Sequence, residues 1–143
     1  LNPAPYFNIN YEAYKFVDYL TPNEHEASAL TNINIKSVDD ARIAGKKICE
    51  LGVGTSIITM GEKGVLCTRN SLDNEGLHLP SNKLKDPVID TVGAGDVFNG
   101  AFATAISEGI NLEDSLLFAN KAASISVTKN GAALSSPYRD QIK

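Results

Sequence analysis

Apolar residues recur at helical spacing in three long segments of the chain and in one shorter segment. Ser37 and Asp40 have the spacing of a capping box, and Gly52 follows the end of that segment. Asn23 and Asn111 are suited to cap two of the other segments. The pattern predicts helices at residues 23–30, 37–51, 94–108 and 112–128.

Short β-biased runs lie between these helices, at residues 17–20, 55–60, 65–68, 77–80 and 87–89. The sequence Gly-Glu-Lys-Gly at residues 61–64 joins two of the runs at the distance of a hairpin. Alternating strand-like and helical segments are typical of an α/β protein. We therefore expect a mainly parallel sheet flanked by helices, with one small hairpin.

The composition is that of a globular protein, with 43% apolar and 21% charged residues among 143. A net charge of −4 without a basic cluster argues against a nucleic-acid partner. No apolar run approaches the ~20 residues of a membrane span. Cys49 and Cys67 have neither C-x-x-C spacing nor a His-rich neighbourhood. They are interpreted as reduced thiols, which is typical of the cytoplasm.

Residues 90–96 read Asp-Thr-Val-Gly-Ala-Gly-Asp and connect a β-biased run to a helical one. A glycine turn before a helix directs backbone N–H groups at one point, where an anion is favoured. A carboxylate there repels an anion. Its presence is explained if Asp96 takes a proton from a hydroxyl during phosphoryl transfer. The alternative is an ordinary strand–helix turn in which glycine permits a positive φ and Asp caps the helix.

Residues 90–100 are similar to the C-terminal signature of the ribokinase-like carbohydrate kinases. Further stretches occur in that family's order, at residues 1–5, 20–27, 58–64, 118–123 and 127–132. The opening Asn-Pro-Ala-Pro and the closing Val-Thr-Lys-Asn-Gly-Ala are most similar to the family members that phosphorylate ribose. Leu134 stands where the family commonly has Pro, and Lys121 and Ser124 depart from its usual alanines.

The resemblance implies a ribokinase-like fold and ATP-dependent phosphorylation of a sugar primary hydroxyl, with D-ribose giving ribose 5-phosphate. Another sugar such as fructose, or a nucleoside, is the alternative substrate. Whole members of the family are roughly twice as long, so the chain is interpreted as the C-terminal, nucleotide-binding half. On this interpretation the sugar-binding and lid portion is absent and the piece alone is inactive, a nucleotide-binding module. The full-length protein is expected to be a homodimer.

The resemblance also implies the site residues. Asp96 is the expected catalytic base, and the backbone N–H groups of Gly93, Ala94 and Gly95 form the expected anion hole. Contacts with ATP are implied for Asn23, Thr59, Met60, Gly61, Glu62, Lys63, Gly64, Gly95, Asp96 and Asn120. For Lys63 only the backbone is assigned. Asn120 is expected at the edge of the adenine, although helix packing explains its alanine neighbours equally well.

Two metal ions are implied. Glu26 is expected to help hold Mg²⁺, with water between them, although capping with Asn23 explains the same spacing. A monovalent cation, K⁺, is expected beside the glycine turn, held largely by backbone carbonyls. Its implied positions are Asp90, Val92, Ser126, Lys129, Gly131 and Ser135. Glu24, His25 and His78 are predicted to be exposed and without a role.

Overall fold

The computed structural model describes residues 1–6, 9–70, 73, 75–83 and 86–142. The chain divides into two compact units, Leu1–Pro80 and Ser81–Lys143. The surface loop predicted at residues 69–76 and the connection predicted at 82–86 lie partly outside the described residues. None of the helices in the described ranges is long and apolar enough to span a membrane.

The first unit contains a four-stranded sheet. Its strands are β1 (Tyr19–Leu20), β2 (Thr55–Thr59), β3 (Val65–Thr68) and β4 (Leu77–Leu79), and they lie side by side in that order. β1 and β2 are parallel, whereas β3 is antiparallel to both of its neighbours. The predicted α/β class and hairpin are confirmed. The sheet is mixed rather than mainly parallel as expected, because β2, β3 and β4 follow one another along the chain as antiparallel neighbours.

The described part of this unit also contains two α-helices and two 3₁₀ helices. They are the 3₁₀ helix Tyr11–Phe16, α1 (Glu24–Thr31), α2 (Val38–Glu50) and the 3₁₀ helix Gly61–Lys63. Both predicted N-terminal caps are present as capping boxes, Asn23 with Glu26 and Ser37 with Asp40. Each box gives acceptors to N–H groups that the first helical turn cannot bond internally, so the helix starts were readable from sequence.

α2 packs closely on the sheet. Ile48 of α2 and Ile58 and Leu66 of the hairpin are completely buried in the core. A methyl group on Gly45 would lie 2.5 Å from the Thr68 hydroxyl oxygen, so glycine permits this approach of helix to strand. The hairpin that carries residues 60–64 is thereby anchored on a well-packed base.

The second unit is a pair of packed helices, α3 (Ala94–Ser107) and α4 (Leu112–Ser126), followed by the 3₁₀ helix Arg139–Gln141. Gly109, with φ of 78°, follows the end of α3, and the Asn111 side chain caps α4 as predicted. Phe98 and Phe102 of α3 are buried with stacked rings. Buried Ala119 and Ala122 of α4 provide the small surface that close helix packing uses.

The strand predicted at residues 87–89 is wrong. Val88 and Ile89 are about half exposed, and no strand is assigned anywhere in residues 86–142. The N–H groups of Ile89 and Asp90 instead donate to one carbonyl, that of Val127 at the end of α4. A β-biased run forms a strand only beside another strand, and the described part of this unit offers none.

Candidate functional site

Gly93 makes the turn that begins α3. Its φ of 80° lies in the left-handed region, where a side chain is disfavoured. The Ala94 N–H makes a long hydrogen bond of 3.3 Å to the Thr91 carbonyl. Among the described residues we find no acceptor for the N–H groups of Gly95 and Asp96. Unbonded N–H groups at the positive end of a helix favour an anion.

Asp96 carries the second of these N–H groups and lies in the first turn of α3. Its side chain is exposed, and it has no hydrogen bond or ion pair with other described residues. Asp96 and Gly93 also line a cavity of about 470 Å³ within this unit, between α3, α4 and residues 132–142. The carboxylate is therefore accessible to a ligand that reaches the turn.

The Asp90 carboxylate links the glycine turn to Gly131, and its two hydrogen bonds are hereafter called the Asp90 brace. One carboxylate oxygen accepts the Val92 N–H at 2.9 Å, and the other accepts the Gly131 N–H at 3.0 Å. These two hydrogen bonds hold the pKa of Asp90 below its ordinary value, because they favour the charged form. Asp90 thus connects the glycine turn to the segment that follows α4.

The implied cation positions are partly brought together by this brace. Asp90, Val92 and Gly131 are joined directly, and the Lys129 N–H donates to the Ser126 carbonyl at 3.1 Å. Ser126 and Ser135 are buried, and their hydroxyls donate to the carbonyls of Ala123 and Ala132. In the described ranges no three His, Cys, Asp or Glu side chains cluster as metal ligands. One carboxylate among carbonyls fits a monovalent cation better than a transition metal.

The brace predicts a pH dependence. Because the pKa of Asp90 is lowered in the folded chain, its contribution to stability is complete above the unfolded-state pKa. That contribution is lost as the pH falls through the folded-state pKa. We expect the amide resonances of Val92 and Gly131 to shift with a midpoint below the ordinary aspartate pKa of about 3.9 in an NMR titration. The Asp90→Asn variant is the control and should lack this transition; a midpoint at or above 3.9 would contradict the brace.

In the first unit, Asn23 lies beside Thr59 and is paired with Glu26. The Glu26 N–H donates to the Asn23 side chain at 2.9 Å, and the Asn23 N–H donates to Glu26 Oε2 at 2.8 Å. Asn23 also forms an isolated parallel β-bridge with Thr59. The capping interpretation of this pair is confirmed. Oε1 of Glu26 makes no hydrogen bond with the residues described, which leaves one oxygen for a hydrated Mg²⁺.

Residues 60–64 form a compact turn, hereafter the 60–64 turn. The Met60 N–H donates to the Gly64 carbonyl at 2.8 Å, and the Lys63 N–H donates to the Met60 carbonyl at 3.0 Å. Gly61 and Gly64 both have positive φ. Met60 and Gly64 are buried, whereas Gly61, Glu62 and Lys63 are exposed. The turn thus presents its tip, residues 61–63, to solvent.

Two residues that the sequence left without a role contact this turn. Glu24 was expected to be an exposed spacer, but it is half-buried and its Oε1 lies 2.8 Å from Lys63 Nζ. His78 is also half-buried, and its Nε2 lies 2.7 Å from the Lys63 carbonyl oxygen. His25 is exposed as predicted. No local pattern reveals contacts between residues 39 and 15 positions apart.

Asn120 is buried on α4, and its backbone carbonyl accepts the Ser124 hydroxyl at 2.8 Å. Its contact with adenine stays a prediction. The predicted ATP residues are divided between the units: Asn23 and residues 59–64 belong to the first, and Gly95, Asp96 and Asn120 belong to the second.

Comparison with known proteins identifies the family. A model described as pfkB family carbohydrate kinase matches residues 10–139. The ribokinase of Haemophilus influenzae is 37% identical, over 99% of this chain and 44% of that protein. The solved ribokinase of Thermotoga maritima is 45% identical with a TM-score of 0.86, over 99% of this chain and 46% of that one. Arabidopsis thaliana ribokinase, solved with ribose and ATP, is 34% identical with a TM-score of 0.85, over 94% and 42%.

The chain therefore spans less than half the length of these relatives. The predicted ribokinase-like fold is confirmed, since the solved relatives share it across nearly all of this chain. Because the family model matches most of the chain, the protein belongs to the pfkB family of carbohydrate kinases.

Proposed function

We propose that this chain is the C-terminal, nucleotide-binding half of an ATP-dependent kinase that phosphorylates the primary hydroxyl of D-ribose. The observation that carries the proposal is the position of Asp96, whose exposed carboxylate lies beside the unbonded N–H groups of Gly95 and Asp96 at the start of α3. A base next to an anion-binding turn suits phosphoryl transfer to an alcohol. The relatives that are ribokinases support ribose as the sugar.

The chain's own residues divide the work as follows. The N–H groups of Gly93, Ala94 and Gly95 stabilise negative charge that develops on the phosphoryl oxygens. Asp96 accepts the hydroxyl proton, which makes the sugar oxygen a better nucleophile. Bound ATP with Mg²⁺ supplies the activated phosphoryl group.

The cofactor positions follow the same proposal. The 60–64 turn and Asn120 bind the nucleotide, and Glu26 holds Mg²⁺ through water with the oxygen that its capping box leaves unused. The Asp90 brace and neighbouring carbonyls bind the monovalent cation and thereby fix the shape of the glycine turn. The brace already orders this turn through protein hydrogen bonds, so a cation there would reinforce an existing link.

A second candidate is a nucleotide-binding module without turnover. The chain spans less than half of its relatives' length, and no residue of it is assigned to sugar recognition apart from Asp96. This candidate describes the chain by itself, whereas the kinase proposal describes the protein that carries a complete fold.

The test is a calorimetric titration of the chain with ATP and Mg²⁺, followed by a coupled assay for ADP release with ribose. We expect saturable ATP binding that weakens when Mg²⁺ is omitted, and no turnover from the chain alone. The Glu26→Gln variant removes the proposed Mg²⁺ ligand, so its ATP binding should lose most of the dependence on Mg²⁺. Absence of ATP binding would contradict the proposed function; ribose turnover by the chain would contradict the inactive-module candidate.

A further inference from the structure

We propose that Glu24 and Lys63 form a clamp that holds the 60–64 turn in the shape that binds nucleotide. On this proposal both are positioning residues, and the Lys63 ammonium is not a phosphate ligand. The inference rests on the proposed function, since it assigns a role within the same nucleotide site.

Met60 and Gly64 are buried at the two ends of the turn, but its exposed tip at residues 61–63 has little packing of its own. Three backbone hydrogen bonds close it, from Met60 N–H to Gly64, from Lys63 N–H to Met60 and from Gly64 N–H to Gly61. A methyl group placed on Gly61 would meet no atom within 4 Å, so this corner of the turn contacts nothing else. Two glycines with positive φ also cost more backbone entropy to order than other residues. A turn of this kind needs contacts from outside to keep one shape.

Those contacts converge on Lys63. Its ammonium lies 2.8 Å from Glu24 Oε1 in the first turn of α1, and its carbonyl oxygen lies 2.7 Å from His78 Nε2 on β4. Lys63 is therefore held at both ends, by two elements on different sides of the hairpin. Glu24 itself follows Asn23, which forms the bridge with Thr59 at the other end of the turn.

The same geometry argues against a direct phosphate contact by Lys63. Its charge is already compensated by a carboxylate at hydrogen-bond distance, which weakens its attraction for a phosphate. The Lys63 and Glu24 side chains are 44% and 27% exposed, so the pair is partly solvated. Such pairs change an equilibrium by about two- to five-fold. The clamp is expected to tune the turn by this amount.

The test compares Glu24→Gln, Lys63→Gln, the double variant and Lys63→Arg in the whole chain. Amide hydrogen exchange of Met60, Lys63 and Gly64, followed by NMR without nucleotide, reports the order of the turn directly. We expect each single Gln variant to exchange about two- to five-fold faster. The double variant should be no worse than either single one, and Lys63→Arg should resemble the wild type. Lys15→Gln is the matched control, because it removes the exposed Lys15–Glu12 pair elsewhere in the same unit.

The affinity for ATP with Mg²⁺ is then measured on the same variants. The clamp predicts that both single Gln variants weaken binding by about the factor seen in exchange. Unchanged exchange in both would overturn the clamp. Weaker binding in Lys63→Gln together with tighter binding in Glu24→Gln would instead make Lys63 a phosphate ligand. If wild-type protein bound no ATP while exchange still responded, the proposed function would fail and the clamp would remain as a structural link without a nucleotide role.

Discussion

Replacing Asp96 by Asn is expected to lower kcat by about 10²–10⁴ in the protein that carries the complete kinase activity, which is the usual range for loss of a general base. Asn has nearly the same size and shape, so the start of α3 and its N–H groups should keep their geometry. What is lost is the ability to accept the hydroxyl proton. The affinity for ATP should change little, because Asn keeps the backbone at position 96 and the other proposed nucleotide contacts lie on other residues.

The measurement is a coupled assay for ADP release with ribose, together with calorimetric titration of ATP and Mg²⁺. Glu113→Gln is the control, since Glu113 is likewise an exposed acid in the first turn of a helix, α4. Removing it alters the charge at a helix start without touching the glycine turn. Unchanged turnover in Asp96→Asn would remove Asp96 from the mechanism, and a parallel collapse of ATP affinity would give it a structural role instead.

Helix starts were predictable because the information that sets them is local. Ser37 with Asp40, Asn23 with Glu26, and Asn111 each satisfy N–H groups within three residues, and each cap is present. Glycines whose φ is positive marked the ends of elements for the same reason, as at Gly109. The fold class followed from the alternation of strand-like and helical runs together with the family resemblance.

Features that depend on distant parts of the chain were not predictable. Residues 87–89 have a strand-like composition, yet the Val127 carbonyl takes up the N–H groups of Ile89 and Asp90. The hydrogen bond from Gly131 to Asp90 and the pair of Lys63 with Glu24 join residues 41 and 39 positions apart. The resemblance placed Asp90 and Gly131 in one cation site, but it did not indicate that they are bonded to each other. Side-chain partners of this kind come from tertiary packing, which has no periodic signal.

The second large effect is expected at Gly93, where two independent costs combine. Its φ of 80° would place an alanine in the left-handed region, at a cost of about 1–2 kcal/mol. The added methyl group would also lie 2.9 Å from Cβ and 3.0 Å from Cα of Ala132. The second contact is with backbone, which cannot rotate away, so the turn or the segment after Gly131 must shift. That shift acts on the Asp90 brace, because its two hydrogen bonds join the same two segments.

We therefore expect Gly93→Ala to reduce the local stability of α3 by about 1–3 kcal/mol, the range for a strained backbone position. Amide hydrogen exchange across α3 would then accelerate by about 5- to 140-fold, since each 1.4 kcal/mol is a factor of ten. Gly100→Ala is the matched control: it adds the same methyl group to the same helix, where no atom lies within 4 Å. Alanine inside a helix is favoured over glycine by roughly 0.5–1 kcal/mol, so this variant should exchange more slowly than the wild type. The opposite signs separate a specific requirement at the turn from a general response of α3 to substitution, and equal responses of the two variants would refute the contact between Gly93 and Ala132.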